Sequence, residues 1–92
     1  MAKKNIYLLF EEKNWDCEEY VDVICAFESK EDALKALREY RNDFVQDHEE
    51  EWDEAKESPY NWTIQDDPEH FQMLDEGMGY NYELMIKEQE LV

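Results

Sequence analysis

Residues 29–58 constrain what this chain can fold into more than any other stretch. Ser29-Lys30-Glu31-Asp32 reads as a serine N-cap with an acid three residues on, close to a capping box. Ala33, Leu34, Leu37, Tyr40, Phe44, Val45, Trp52 and Ala55 then follow the helical period, and Ser58-Pro59 closes the run. A helix over residues 30–57 would be about 40 Å long at 1.5 Å per residue. That is longer than the sheet of a small domain, so its C-terminal half is expected to project or bend, and the sequence leaves open whether the helix runs unbroken past His48.

The same segment is strongly acidic on its other side. DFVQDHEEEWDEAKE, residues 43–57, holds eight carboxylates and one lysine. Glu39, Asp43, Asp47, Glu50, Glu54 and Glu57 lie 4, 4, 3, 4 and 3 residues apart, and Glu49, Glu51 and Asp53 flank them. The mean interval of 3.6 residues places a charge about every 5.4 Å along one side of a helix. Like charges at these spacings each cost a few tenths of a kcal/mol. Towards a helix C-terminus the macrodipole adds to that cost. A helix that needed only solubility would alternate glutamate with lysine.

The rest of the chain reads as strands and one further helix. Residues 5–10 (NIYLLF) and 20–27 (YVDVICAF) suit a β-hairpin, with Val21, Val23, Cys25 and Phe27 on one face and EEKNWDCEE as a long polar tip. Residues 60–65 suit a short strand or an ordered loop. Asp66-Asp67-Pro68-Glu69 has the cap, proline and first-turn acid of a second, short helix ended by Gly77. Residues 80–87 (YNYELMIK) alternate as a half-buried strand. The expected fold class is therefore α+β, in the order ββα(β)αβ: an antiparallel sheet of three to four strands packed against one long and one short helix. Residues 1–92 form a single domain.

Charge narrows the partners. Twenty-six acids against nine bases give −17, yet 42% hydrophobic and 14% aromatic content is that of a folded chain. Residues 42–76 alone hold 13 acids and only Lys56 as a base. Direct binding to nucleic acid or an anionic membrane needs cationic side chains and is not expected. Cys17 and Cys25 form no CxxC pair and have no nearby histidine, so neither a disulfide scaffold nor a zinc site is indicated. Without an apolar run long enough for a leader or a span, a cytoplasmic protein is expected.

Signatures of catalysis are missing from the sequence: no P-loop, GxGxxG, HExxH or GxSxG. No enzyme activity and no cofactor are expected. His48 with Glu49, or Asp66-Asp67 with His70, would offer a divalent ion only a weak site, and no metal is expected. Trp15, in the polar tip, is expected to be exposed as a partner contact, whereas Trp52, Tyr60, Trp62, Tyr80 and Tyr82 are divided between core and interface.

Two further elements extend the acidic theme. The hairpin tip contributes Glu11, Glu12, Asp16, Glu18 and Glu19, and the expected second helix contributes Asp66, Asp67, Glu69, Asp75 and Glu76. Duplex DNA carries a charge about every 3.4 Å along each strand. A helix with carboxylates every 5 Å or so is a coarse imitation of one phosphate strand, readable by lysines and arginines that a DNA-binding protein places for phosphates. In size, acidity and lack of catalytic motifs, with residues 39–57 as the local feature, the chain resembles the small acidic DNA-mimic inhibitors of bacteriophage. These are the anti-restriction and anti-CRISPR proteins, including anti-restriction nuclease proteins of the T4 type. The resemblance implies a cytoplasmic inhibitor, often a homodimer, that competes with DNA for a basic DNA-binding protein such as a host nuclease or defence effector. The alternative is an acidic protein–protein adaptor or small regulatory protein that binds through exposed aromatics, with charge serving solubility.

Overall fold

A computed structural model describes residues 4–58 and 60–91. The chain runs β1 (Lys4–Trp15), β2 (Glu18–Phe27), α1 (Lys30–Asp47), α2 (Glu49–Glu57), β3 (Trp62–Asp67), β4 (His70–Asp75) and β5 (Tyr80–Leu91). The five strands form one antiparallel sheet in the order β2-β1-β5-β4-β3. Both helices lie on one face of it, so the fold is α+β as the sequence indicates, with more strands and one fewer helical segment after residue 58.

The expected helix over Pro68–Glu76 is instead the β3–β4 hairpin. Asp67 pairs with His70 across a two-residue turn made by Pro68 and Glu69. Proline fixes the φ that the first central residue of a tight turn needs, just as it fixes the first residue of a helix. Phe71 and Met73 decide between the two readings. They alternate with Gln72 and Leu74, and both are wholly buried beneath the helices. The Gly77-Met78-Gly79 segment is thus a hairpin turn: Asp75 Oδ1 accepts from the Gly77 and Met78 N–H groups, and Gly79 takes φ +75°.

The first hairpin is longer than expected. Its strands run in register to Trp15 and Glu18, leaving Asp16 and Cys17 as a two-residue turn with φ of 44° and 74°. Trp15 is consequently not exposed: it is 6% accessible and forms part of the core. A register shift between Leu9 and Phe10 makes Ile24 an extra residue in β2. Side chains alternate faces along a strand, so the bulge reverses which set meets the core. Val21 and Val23 therefore lie on the helix-free face, while Ile24 and Phe27 pack against the core.

The core gathers Leu9, Trp15, Leu37, Phe44, Ala55, Trp62, Phe71, Met73, Tyr82 and Leu84. Phe71, Leu9, Met73 and Leu84 are fully buried, each contributing about 1.5–3 kcal/mol of transfer free energy. Phe44 lies flat on Tyr82, with centroids 3.9 Å apart. Val45 and Trp52 pack at the margin. Ser29 caps α1, its Oγ accepting from the Asp32 N–H. The helical run does break at His48 (φ −123°, ψ 42°). There the imidazole stacks on Phe44 at 4.2 Å and contacts Trp15 at 5.2 Å. The Phe44 carbonyl receives both the His48 N–H and Nδ1, which must therefore carry the ring proton. The run ends at Glu57 with Ser58 as its C-cap, and Pro59, expected to stop it, lies outside the described residues.

Candidate functional site

The break at His48 changes the energetics of the acidic run. Glu49, Glu50 and Glu51 are the first turn of α2 rather than the middle of one long helix. Carboxylates at a helix start interact favourably with unpaired N–H groups and the macrodipole. Only Asp47 ends a helix without a basic neighbour in its last turn. Glu39, Asp43, Asp47, Glu50, Glu54 and Glu57 are all exposed. Three project from α1 and three from α2, so the row bends between Asp47 and Glu50. Among the described residues none of the six side chains has a hydrogen-bond or ion-pair partner, nor do those of Glu49 and Glu51. Asp53 has only a loose contact with Lys56 at 3.6 Å.

On one side this row borders the β1–β2 half of the sheet. Asp43 and Asp47 line a groove of about 240 Å³ with Glu11, Lys13, Tyr20, Tyr40, His48 and Tyr82. Glu11 sits at its floor and accepts hydrogen bonds from the Tyr20 hydroxyl at 2.9 Å and from the Tyr82 hydroxyl. Burial, then the Glu11 hydrogen bond, and then the charges of Glu11, Glu18 and Asp22 push the Tyr20 hydroxyl up to about 12. Burial first and Glu11 second hold the Tyr82 hydroxyl well above the usual phenol range. Lys13 reaches Glu18 at 3.1 Å. The helix side of the sheet therefore brings Glu11, Glu18 and Asp22 together with the α1 carboxylates. Asp22 escaped the sequence reading, although its period-two relation to Glu18 and Tyr20 carried the signal.

The other acidic residues are placed differently. Glu12 and Glu19 fall on the helix-free face, and Asp16 occupies the β1–β2 turn. The β3–β4 hairpin forms the opposite edge, and every one of its five carboxylates is engaged within the fold. Asp66 takes two hydrogen bonds from Arg41, at 3.1 and 2.6 Å. Asp67 accepts from Gln65, Glu69 pairs with Lys30 at 2.5 Å, and Glu76 accepts from Thr63. Asp75 holds the β4–β5 turn as described. Arg41 also lies over Trp52 and Phe71, with centroid distances of 5.2 and 5.6 Å.

The charge is thus polarised across the helix layer. Arg38 and Arg41 face Asp66 and Asp67 of the β3 edge, while Asp43 and Asp47 face the β2 edge in a groove whose described lining holds one lysine, Lys13, and no arginine. The chain is elongated, 51 × 22 × 20 Å. No three His, Cys, Asp or Glu side chains converge as metal ligands among the described residues, and no helix among them is long and apolar enough to cross a membrane. No family model, curated protein or solved structure matches the chain.

Proposed function

We propose that the protein is a cytoplasmic, non-catalytic inhibitor that offers carboxylates in place of DNA phosphates to a basic DNA-binding protein, such as a restriction nuclease or another anti-phage effector. One observation carries the reading. The hairpin carboxylates at the β3 edge are tied to partners within the fold, whereas the six-residue row from Glu39 to Glu57 is exposed and unpartnered among the described residues. A row of like charges with no side-chain partner among the described residues is accounted for by an external cationic partner. The row from Glu39 to Glu57 rises about 27 Å along the two helices at 1.5 Å per residue, the length of about 8 phosphates of one strand at 3.4 Å each. Glu11, Glu18 and Asp22 beside the groove widen the row into a face. Attraction between this face and lysines or arginines would speed association and weaken steeply with salt.

A competition experiment tests the reading: the protein, in excess, should displace duplex DNA from a basic nuclease or nucleoid protein drawn from host lysate. If no DNA-binding protein releases its DNA at low salt, the proposal fails. The adaptor reading draws on Tyr60, 91% exposed, and Tyr20 and Tyr40, each 39% exposed. Reversing Glu50, Glu54 and Glu57 to lysine separates the two, since only the mimic loses its target.

A further inference from the structure

The sheet has a second face with no helix on it, and its centre is apolar. On β2, β1 and β5 the register sets three levels side by side: Ala26, Leu8 and Lys87; Val23, Phe10 and Met85; Val21, Glu12 and Glu83. Val21 and Val23 are 69% and 45% exposed. Phe10, Glu12, Val21, Glu83, Met85 and Lys87 enclose a cleft of about 260 Å³. Its two carboxylates face one lysine, and Glu83 is additionally hydrogen-bonded to His70. In a chain of net charge −17 this surface is close to neutral. Antiparallel sheets leave one face to water when that face is polar; a face this apolar marks a contact surface.

We infer that this face is where a second copy of the chain docks, sheet against sheet. Charge selects the occupant. Two copies repel strongly through their helix layers, and this face is the one where that repulsion is least. The rim is also self-complementary. A two-fold axis crossing the strands at the level of Phe10 and Met85 places Phe10, Met85 and Val23 against their own symmetry mates. It sets Lys87 of each copy opposite Glu83 of the other, which an isologous contact requires. Strands of ten to twelve residues, spaced about 4.8 Å apart, give β2, β1 and β5 a face on the order of 500 Å² per copy, or about 1,000 Å² per pair, the size of a weak, concentration-dependent interface. The dimer would leave both helix layers, with their acidic rows, pointing away from each other. This inference does not depend on DNA mimicry, and the two can fail separately.

Sedimentation of the full chain, at about 100 μM and in low and about 0.5 M salt, tests it. The expected result is a species of twice 11.3 kDa whose association strengthens with salt, because salt screens the repulsion while apolar burial persists. Association between the acidic row and a cationic target would show the opposite salt dependence. Val21→Glu with Val23→Glu changes two exposed side chains, so the fold should survive, as circular dichroism would verify, and the species should become monomeric. A wild-type monomer at both salt concentrations overturns the inference. So does a dimer that survives the double substitution, or one abolished instead by Glu39→Lys with Asp43→Lys on the helix layer.

Discussion

Arg41 grips Asp66 through Nε and Nη2 at 3.1 and 2.6 Å while its guanidinium lies over Trp52 and Phe71. One side chain thereby fastens α1 to α2, to the β3 edge and to the centre of the sheet. Asp66 is 42% exposed, so the ion pair itself contributes little, and most of the effect comes from the stacked, partly covered guanidinium. Arg41→Ala should lower stability by about 1–2 kcal/mol in denaturant unfolding. Arg41→Lys should recover less than half of that, since lysine has no planar fork. A loss equal to that of Asp66→Asn alone would mean that stacking adds nothing.

Trp15 offers a test of where the first hairpin ends. It touches Phe44, His48, Trp62 and Tyr80 at centroid distances between 5.2 and 6.1 Å. Trp15→Ala should cost about 3–5 kcal/mol, whereas an exposed tip residue would cost under about 0.5 kcal/mol.

Cys17 is the residue least suited to its place, with φ 74° on a side chain that has no local hydrogen bond to offset the strain. A left-handed non-glycine residue costs about 1–2 kcal/mol, and Asp-Gly is favoured in a two-residue hairpin turn. Cys17→Gly should therefore raise stability by about 1 kcal/mol, measurable as a higher midpoint of unfolding. An unchanged or lower midpoint would contradict this account of the turn.

The Glu11 pair of tyrosines makes stability fall at alkaline pH. Tyr20 is raised from 10.0 to about 12 on folding. Its contribution is complete below pH 10 and is lost as the pH rises towards 12, because the unfolded phenol ionises first. Tyr82 shifts in the same direction and extends the loss. Stability followed from pH 9 to 12 should decline, and Tyr20→Phe should flatten that decline, with the phenolate absorbance phase near pH 12 disappearing.

Reversal of the outer row should separate binding from folding. Glu50→Lys, Glu54→Lys and Glu57→Lys relieve like-charge contacts worth a few tenths of a kcal/mol each, and Glu57→Lys at the end of α2 offsets the favourable first-turn charge that Glu50→Lys gives up. The triple variant should be as stable as the parent or slightly more so, yet lose displacement of DNA from the target. Added salt should stabilise the parent for the same reason. A variant that unfolds would show that the row has an internal role.

How much of this was legible depended on whether a segment carried one periodicity or two. The α1 cap at Ser29 and the core positions Leu37 and Phe44 could be read from spacing alone. The break at His48 could not be placed from spacing: a helix longer than the sheet implied a bend, but the apolar period runs on either side of His48 alike. The β3–β4 hairpin was not legible because Asp-Asp-Pro-Glu satisfies helix-start and turn chemistry equally. Phe71, Met73 and Leu74 then fit a short helix as well as a strand, and only pairing with β5 chooses between them. The acidic face was half legible. The row on the helices followed from its interval, but the engagement of Asp66, Glu69 and Glu76 depends on contacts between residues distant in sequence, such as Arg41 with Asp66.

The extra residue at Ile24 gives β2 an ambiguity that the rest of the sheet lacks. Upstream of it, Tyr20 and Asp22 join the acidic helix side, and Val21 and Val23 form the apolar side. Removing that one residue would exchange the two sets without altering any side chain. A phenol and a carboxylate would then enter the apolar face, and two valines would replace the lining beside Glu11. Insertions and deletions in β2 should accordingly be far less tolerated than substitutions, because a single codon there governs the polarity of two surfaces.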